Sequence, residues 1–221
     1  MKFFLDSAIV DEIAHAFDAW GFDGVTTNPR HVQASGKPFV SVIREIARLV
    51  EGTERTVSVE VNPHHTDHQA MVEEGLRLAA LSPNFLIKLP ATEAGFRAIP
   101  LLAAQGVRAN LTLVFSAVQA LQAMRLGATY VSAFIGWKES NAEETGSLIE
   151  EIVTIRDNYG FPTEVLVAAV RNGRQIADAA VAGADIVTAG FAVYQDAFTH
   201  PYTDVGLARF AGYWDQTPYG E

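Results

Sequence analysis

Cysteine is absent from this 221-residue chain. Disulfides, thiol nucleophiles and cysteine-ligated zinc are thereby excluded, and a reducing compartment is the natural fit. Positive charge is scarce: 16 Lys and Arg stand against 26 Asp and Glu, a formal net charge of −10. No dense run of Lys and Arg occurs, so neither a nucleic-acid nor a membrane-surface partner is expected. A small anionic ligand needs only a local patch and stays open. Long apolar runs are missing too. The opening segment MKFFLDSA reaches an aspartate at position 6, too soon for a signal-peptide core. Nothing approaches the ~20 apolar residues of a membrane span. A soluble, cytoplasmic protein is expected. Linkers and low-complexity tracts are lacking, so residues 1–221 read as one domain, with 191–221 as a helical extension.

What the chain has is an apolar fraction of 49%, ordinary for a globular protein able to bury a core. Short apolar runs alternate with stretches of helical period. Strands are expected at Lys2–Asp6, Gly24–Thr27, Thr56–Val61, Phe85–Leu89, Val107–Leu113, Tyr130–Phe134, Glu164–Ala168 and Asp185–Thr188. Helices are expected at Val40–Val50, Ala70–Leu81, Glu93–Ala104, Ala117–Arg125, Ala142–Tyr159 and Arg174–Ala182, where apolar positions recur three or four apart. Gly21, Gly52, Gly106, Gly127, Gly160 and Gly183 sit just past periodic segments, where a left-handed cap is wanted. This α/β alternation predicts a (β/α)8 TIM barrel with an additional C-terminal helix. An open doubly wound sheet is the weaker alternative, because the first strand ends LDSA without a glycine-rich phosphate turn.

Strand side chains alternate between barrel interior and helix layer. In VSVEV the valines take the helix side, leaving Ser58 and Glu60 inside. In FLIKLP the same alternation puts Leu86 and Lys88 inside, and in ANLTLV it puts Asn110 and Thr112 inside with Leu111 and Leu113 out. Ser132 and Phe134 point in from YVSAF, while Asp6 and Asn28 lie at the exits of the first two strands. Polar groups thus converge late in their strands, at the end of this fold that carries active sites. Taken singly, Lys88 as a snorkelling or ion-paired structural lysine is an equal account. Taken together, the set favours function, since burying an idle lysine and carboxylate is expensive.

The chemistry follows. Desolvation disfavours an ammonium, so a buried amine is available to attack a ketone and form a Schiff base. The resulting iminium is an electron sink that permits cleavage of the neighbouring carbon–carbon bond. Glu60 and Asp6 are the candidates for moving protons. Thr112 is placed to hold a water, and Asn28 to bind a donor hydroxyl. His64, His65, Asp67 and His68 are the one cluster of metal-ligand type, and a solvated helix start accounts for them better. Neither a metal nor a cofactor is expected. A metal-dependent aldolase and a catalytically silent sugar-binding barrel are the rival readings.

Many ordered segments resemble the small bacterial and archaeal type of transaldolase and its relative fructose-6-phosphate aldolase. They include MKFFLDSA, DGVTTNP, SVEV, IKLP followed by TEAG, NLTLVFS, GATYVSAFIG, DNYGF before TEVLVAA, AGADIVT and HPYTDVGLARF. The resemblance implies a (β/α)8 barrel, Lys88 as Schiff-base lysine, and Asp6, Asn28, Glu60 and Thr112 as its supporting set. It also implies a homo-oligomer, a pentamer or decamer, with the C-terminal helix reaching a neighbour. The aldolase branch carries Gln where Glu60 stands and Tyr where Phe134 stands, so this chain is similar to the transaldolase branch.

Three positions depart from the family. Trp137 takes the place of an arginine that binds the sugar phosphate, with Lys138 beside it. Ala169 replaces a serine ligand, while Arg171 keeps a basic residue. Arg30 stands where the family has serine. Losing an arginine removes a bidentate phosphate clamp. Either Arg30 and Arg171 bind an ordinary phosphate from another angle, or the sugar ends in another anion, such as the sulfonate of 6-deoxy-6-sulfofructose.

Overall fold

The computed structural model describes residues 1–143 and 146–220. Eight strands appear where they were expected, each end within two residues: β1 Lys2–Asp6, β2 Gly24–Thr26, β3 Thr56–Glu60, β4 Phe85–Pro90, β5 Ala109–Val114, β6 Tyr130–Phe134, β7 Glu164–Val170 and β8 Ile186–Ala189. They pair in parallel in sequence order, and β8 returns to β1 to close a barrel. The helices are α1 Val10–Ala19, α2 Pro29–Ala34, α3 Phe39–Val50, α4 His68–Ala79, α5 Glu93–Ala103, α6 Ala117–Arg125, α7 Gly136–Ser140, α8 Gly146–Tyr159, α9 Gly173–Val181, α10 Phe191–Ala197 and α11 Pro201–Trp214. Of the helix expected over Ala142–Tyr159, α8 covers Gly146–Tyr159, and Glu144 and Thr145 lie outside the described residues. All six glycines expected to end helices have φ between 64° and 85°, a region that L side chains enter at a cost.

Five of the strand-to-helix connections, those after β2, β3, β4, β5 and β7, share one device. A polar residue after the strand accepts a hydrogen bond from a helix N–H two or three positions on: Asn28 from His31, Asp67 from Gln69 and Ala70, Thr92 from Gly95, Ser116 from Gln119, and Asn172 from Gln175. These caps fix the carboxyl-end loops on which an active site is assembled.

The core has two shells. The larger lies between strands and helices, formed by outward residues such as Val57, Val59, Ile87, Leu89, Leu111, Val131, Val165 and Val167. The smaller fills the barrel's amino-terminal half with Phe4, Leu86, Tyr130, Leu166 and Ile186. Gly24 is required beside it, because a Cβ there would come within 2.7 Å of the Phe4 ring and 2.6 Å of the Thr56 carbonyl.

The tail divides. Its first half packs on the barrel through Phe191, Tyr194 and Phe198, which join Phe3, Trp20 and Phe22 in an aromatic cluster. The second half, α11, buries none of its residues, and Tyr202, Leu207, Phe210, Tyr213 and Trp214 are exposed. No helix among the described residues is long and apolar enough to cross a membrane.

Candidate active site

Above the apolar floor the barrel interior turns polar in two steps. The first is a layer of buried, mutually bonded groups. Asn110 donates to Ser58 at 2.9 Å and accepts from Ser132 at 2.8 Å, while the Thr26 and Thr188 hydroxyls meet at 2.7 Å. The second carries charge on Asp6, Glu60 and Lys88 beside the neutral Thr112 hydroxyl, with Glu60 and Thr112 two residues beyond Ser58 and Asn110 on the same strands. They open into a cavity of about 290 Å³ at the carboxyl end of the strands.

Lys88 is 3% exposed. Its Nζ donates to the Thr27 carbonyl at 3.2 Å and lies 3.8 Å from Glu60 Oε2. Register places it directly between Glu60 on β3 and Asn110 on β5. The amine is therefore held by one neutral acceptor and one loose ion pair, and it faces open space.

The two carboxylates are driven apart. Burial pushes Glu60 above the ordinary carboxylate range, Lys88 offsets part of this, and Asp6 adds to it. Burial pushes Asp6 up as well, but there it is outweighed. His31 Nε2 sits 3.0 Å from Asp6 Oδ2, Thr26 donates to Oδ1 at 2.7 Å, and the charge of Lys88 adds its pull, so Asp6 ends below its ordinary value. Two carboxyl groups pushed in opposite directions are the arrangement that divides proton carrier from fixed anion. Among the described residues no group bonds the buried Thr112 hydroxyl. A group left so is costly unless a ligand or water completes it.

Two irregularities shape the upper wall. Leu113 and Ala169 have φ of 58° and 59°, and the ladders skip there, between Leu111 and Val114 on β5 and between Val167 and Val170 on β7. Each left-handed residue costs on the order of 1 kcal/mol. The expected pleat fails at this point: Leu113 leaves the helix layer and lines the cavity. The Ala169 bulge pushes its carbonyl so close to Gly136 that a Cβ there would lie 2.1 Å away. At the rim Trp137, 53% exposed, packs with Phe115 and Phe134, ring centroids 5.7–5.9 Å apart.

The cavity thus gathers Asp6, Asn28, Arg30, Glu60, Lys88, Thr112, Ser132, Phe134 and Trp137 of the residues expected there. Three others stand outside its walls. Asn110 lies beneath, tying Ser58 to Ser132. Lys138 turns to Glu143 at 3.0 Å, and Arg171 turns to the Ser140 hydroxyl on α7. Asn28 is partly engaged, its Oδ1 capping α2 at 3.0 Å. Sequence reasoning passed over Thr26, His31, Leu113 and Thr188, which also line the cavity. Pleat alternation from Asp6 pairs it with Thr26, whereas nothing local marks His31 or the Leu113 bulge. The histidine cluster is split: His65 pairs with Glu74 at 3.0 Å and His68 with Asp67 at 3.2 Å. Among the described residues no three His, Asp or Glu are grouped to hold a metal.

Comparison with known proteins fits this geometry. A thiamine phosphate pyrophosphorylase structure from Pyrococcus furiosus superposes with a TM-score of 0.63 over 89% of each chain, at 14% identity, and so shares the fold alone. A 6-deoxy-6-sulfo-D-fructose transaldolase of Priestia megaterium is 53% identical over 98% of this chain and 96% of its own length. A probable transaldolase of Aquifex aeolicus is 45% identical over 99% of this chain and 98% of its own. The family profile described as Transaldolase/Fructose-6-phosphate aldolase matches residues 3–216, and the chain belongs to that family.

Proposed function

We propose that this protein is a Schiff-base transaldolase that moves a three-carbon dihydroxyacetone unit from a 6-deoxy-6-sulfo-ketose to an aldehyde acceptor. The observation that carries the chemistry is Lys88, a buried amine facing an open cavity beside a carboxyl group held above its ordinary range. The amine adds to the ketose C2, and loss of water gives the iminium. Glu60, left ionised once it has protonated the departing water, takes the C4 hydroxyl proton as the C3–C4 bond breaks; the bond's electrons pass to the iminium as an enamine, and C4 leaves as the aldehyde. Attack of the enamine on the acceptor aldehyde and hydrolysis restore Lys88. Glu60 carries the proton in carbinolamine formation and dehydration, with the water that Thr112 is free to hold. Asp6 stays ionised and offsets the iminium charge.

The sulfonate assignment rests on the rim and on the sulfo-sugar relative at 53% identity. A dianionic phosphate favours a bidentate cationic clamp. Here Lys138 and Arg171 are directed elsewhere, and Arg30 and the Trp137 wall remain. One cation and an aromatic face suit a monoanionic tetrahedral head. The test is donor turnover with 6-deoxy-6-sulfofructose and fructose 6-phosphate side by side. The sulfo sugar is expected to have the higher kcat/KM; equal or better use of the phosphate would overturn the assignment. The exposed aromatic face of α11 supports a homo-oligomer, pentamer or decamer. A cysteine-free acidic chain suits the cytoplasm.

A further inference from the structure

The residue least explained by this reading is His31. It lies one position past Arg30 in α2, on a different element from Lys88, Glu60 and Asp6, yet its ring lines the same cavity. Two anchors fix it. Its backbone N–H donates to Asn28 Oδ1 at 3.0 Å, and its Nε2 reaches Asp6 Oδ2 at 3.0 Å. With Thr26 on the other oxygen at 2.7 Å, both Asp6 oxygens are spoken for. The carboxylate cannot swing toward Lys88 or away from it without breaking one of these bonds. A carboxylate meant only to neutralise a lysine needs no such double restraint. One that must keep its orientation and charge while a cation forms beside it does.

We propose that His31 is a positioning residue for Asp6: it keeps the carboxylate ionised and aimed into the cavity while the Lys88 iminium forms and breaks down. The inference rests on the Schiff-base reading above. The charged and titratable groups around the pair are Lys88 from β4, Glu60 from β3, Arg30 from α2 itself and Tyr194 from α10, which burial and then Asp6 push up. Of these, Lys88 also draws Asp6 down, and the hydrogen bond and charge of His31 precede it among the downward pulls. Removing His31 therefore lets Asp6 take up a proton at higher pH, and the acid limb of activity moves upward.

The experiment compares wild type with His31→Ala, His31→Gln, Asp6→Asn and the His31→Ala/Asp6→Asn double variant. The probe is 6-deoxy-6-sulfofructose, read by turnover and by borohydride trapping on Lys88 across pH. His31→Ala is expected to lose about tenfold in kcat, with KM little changed, and to shift the acid limb to higher pH. His31→Gln, which keeps an N–H for Asp6, is expected to retain most of the activity. In the Asp6→Asn background, removing His31 is expected to cost less than about threefold. An unmoved acid limb in His31→Ala, or a double variant impaired by the full product of the singles, would overturn the proposal. Absence of any Lys88 adduct in wild type would instead sink the Schiff-base reading, so the two failures are distinct.

Discussion

The two ends of the barrel interior hold cavities of opposite character. The amino-terminal one is larger, about 490 Å³, and carries Lys2, Asp23, Arg55 and Tyr130. These four are occupied: Lys2 bonds Glu164 at 2.7 Å, Asp23 accepts from the Phe3 N–H at 2.9 Å, Arg55 bonds the Phe22 carbonyl at 3.0 Å and lies over the Phe17 ring, and Tyr130 meets Thr56 at 3.2 Å. The carboxyl-terminal cavity is smaller, about 290 Å³, and holds a weakly paired lysine, two divergent carboxylates and an orphan hydroxyl. Volume alone favours the amino-terminal end. Unspent hydrogen bonding and charge favour the carboxyl-terminal one as the proposed active site, because selection for stability removes such costs and selection for chemistry keeps them.

That contrast breaks most readily at Lys88. Lys88→Ala is expected to abolish borohydride trapping with a ketose and to cut kcat/KM by on the order of 10⁴-fold or more, while the far-ultraviolet dichroism stays native. Retention of a ketose adduct would move the nucleophile elsewhere.

Glu60→Gln comes next, at about 10²–10⁴-fold in kcat. It also has a stability signature with a definite sign. Burial raises Glu60, so the folded state binds its proton more tightly than the unfolded chain does. Its contribution to stability is present at low pH and is lost as pH rises through the folded value. Glutamine mimics the protonated form at every pH. The melting temperature of the variant relative to wild type should therefore increase from pH 4 to pH 8, and a flat difference would contradict the assigned direction.

How much of this was legible from residues follows from the geometry that fixes each part. Ser58, Glu60, Lys88, Asn110 and Thr112 precede any left-handed residue on their strands, so a period of two still decides the facing, and the alternation of valine and leucine around them announced it. The rim obeys no such period. Leu113 reverses its facing because one residue of left-handed backbone interrupts β5, and its side chain is a kind that seldom adopts that conformation. Arg171 and Lys138 depended on where α7 would run, and neighbouring partners captured both. His31 entered through the cap of a six-residue helix, a contact between elements distant from the strand pattern. Pleat is local and readable; loop docking is tertiary and was not.

The smallest effects give the finest test of the contrast, by deleting one buried hydroxyl at each end. Thr112→Val removes an oxygen that no described group bonds, in a side chain of nearly the same shape. Tyr130→Phe removes one that bonds Thr56 at 3.2 Å. A formed hydrogen bond contributes about 0.5–1.5 kcal/mol. Tyr130→Phe should therefore lose about 1 kcal/mol in urea unfolding and leave kcat within twofold. Thr112→Val breaks no bond to another described protein group, so it should stay within about 0.5 kcal/mol of wild type yet lose about tenfold in kcat, as the water it holds for Glu60 goes astray. Stability lost at one end and activity lost at the other are what a structural and a functional end of one barrel require. If Thr112→Val loses as much stability as Tyr130→Phe, its hydroxyl no longer separates the two ends.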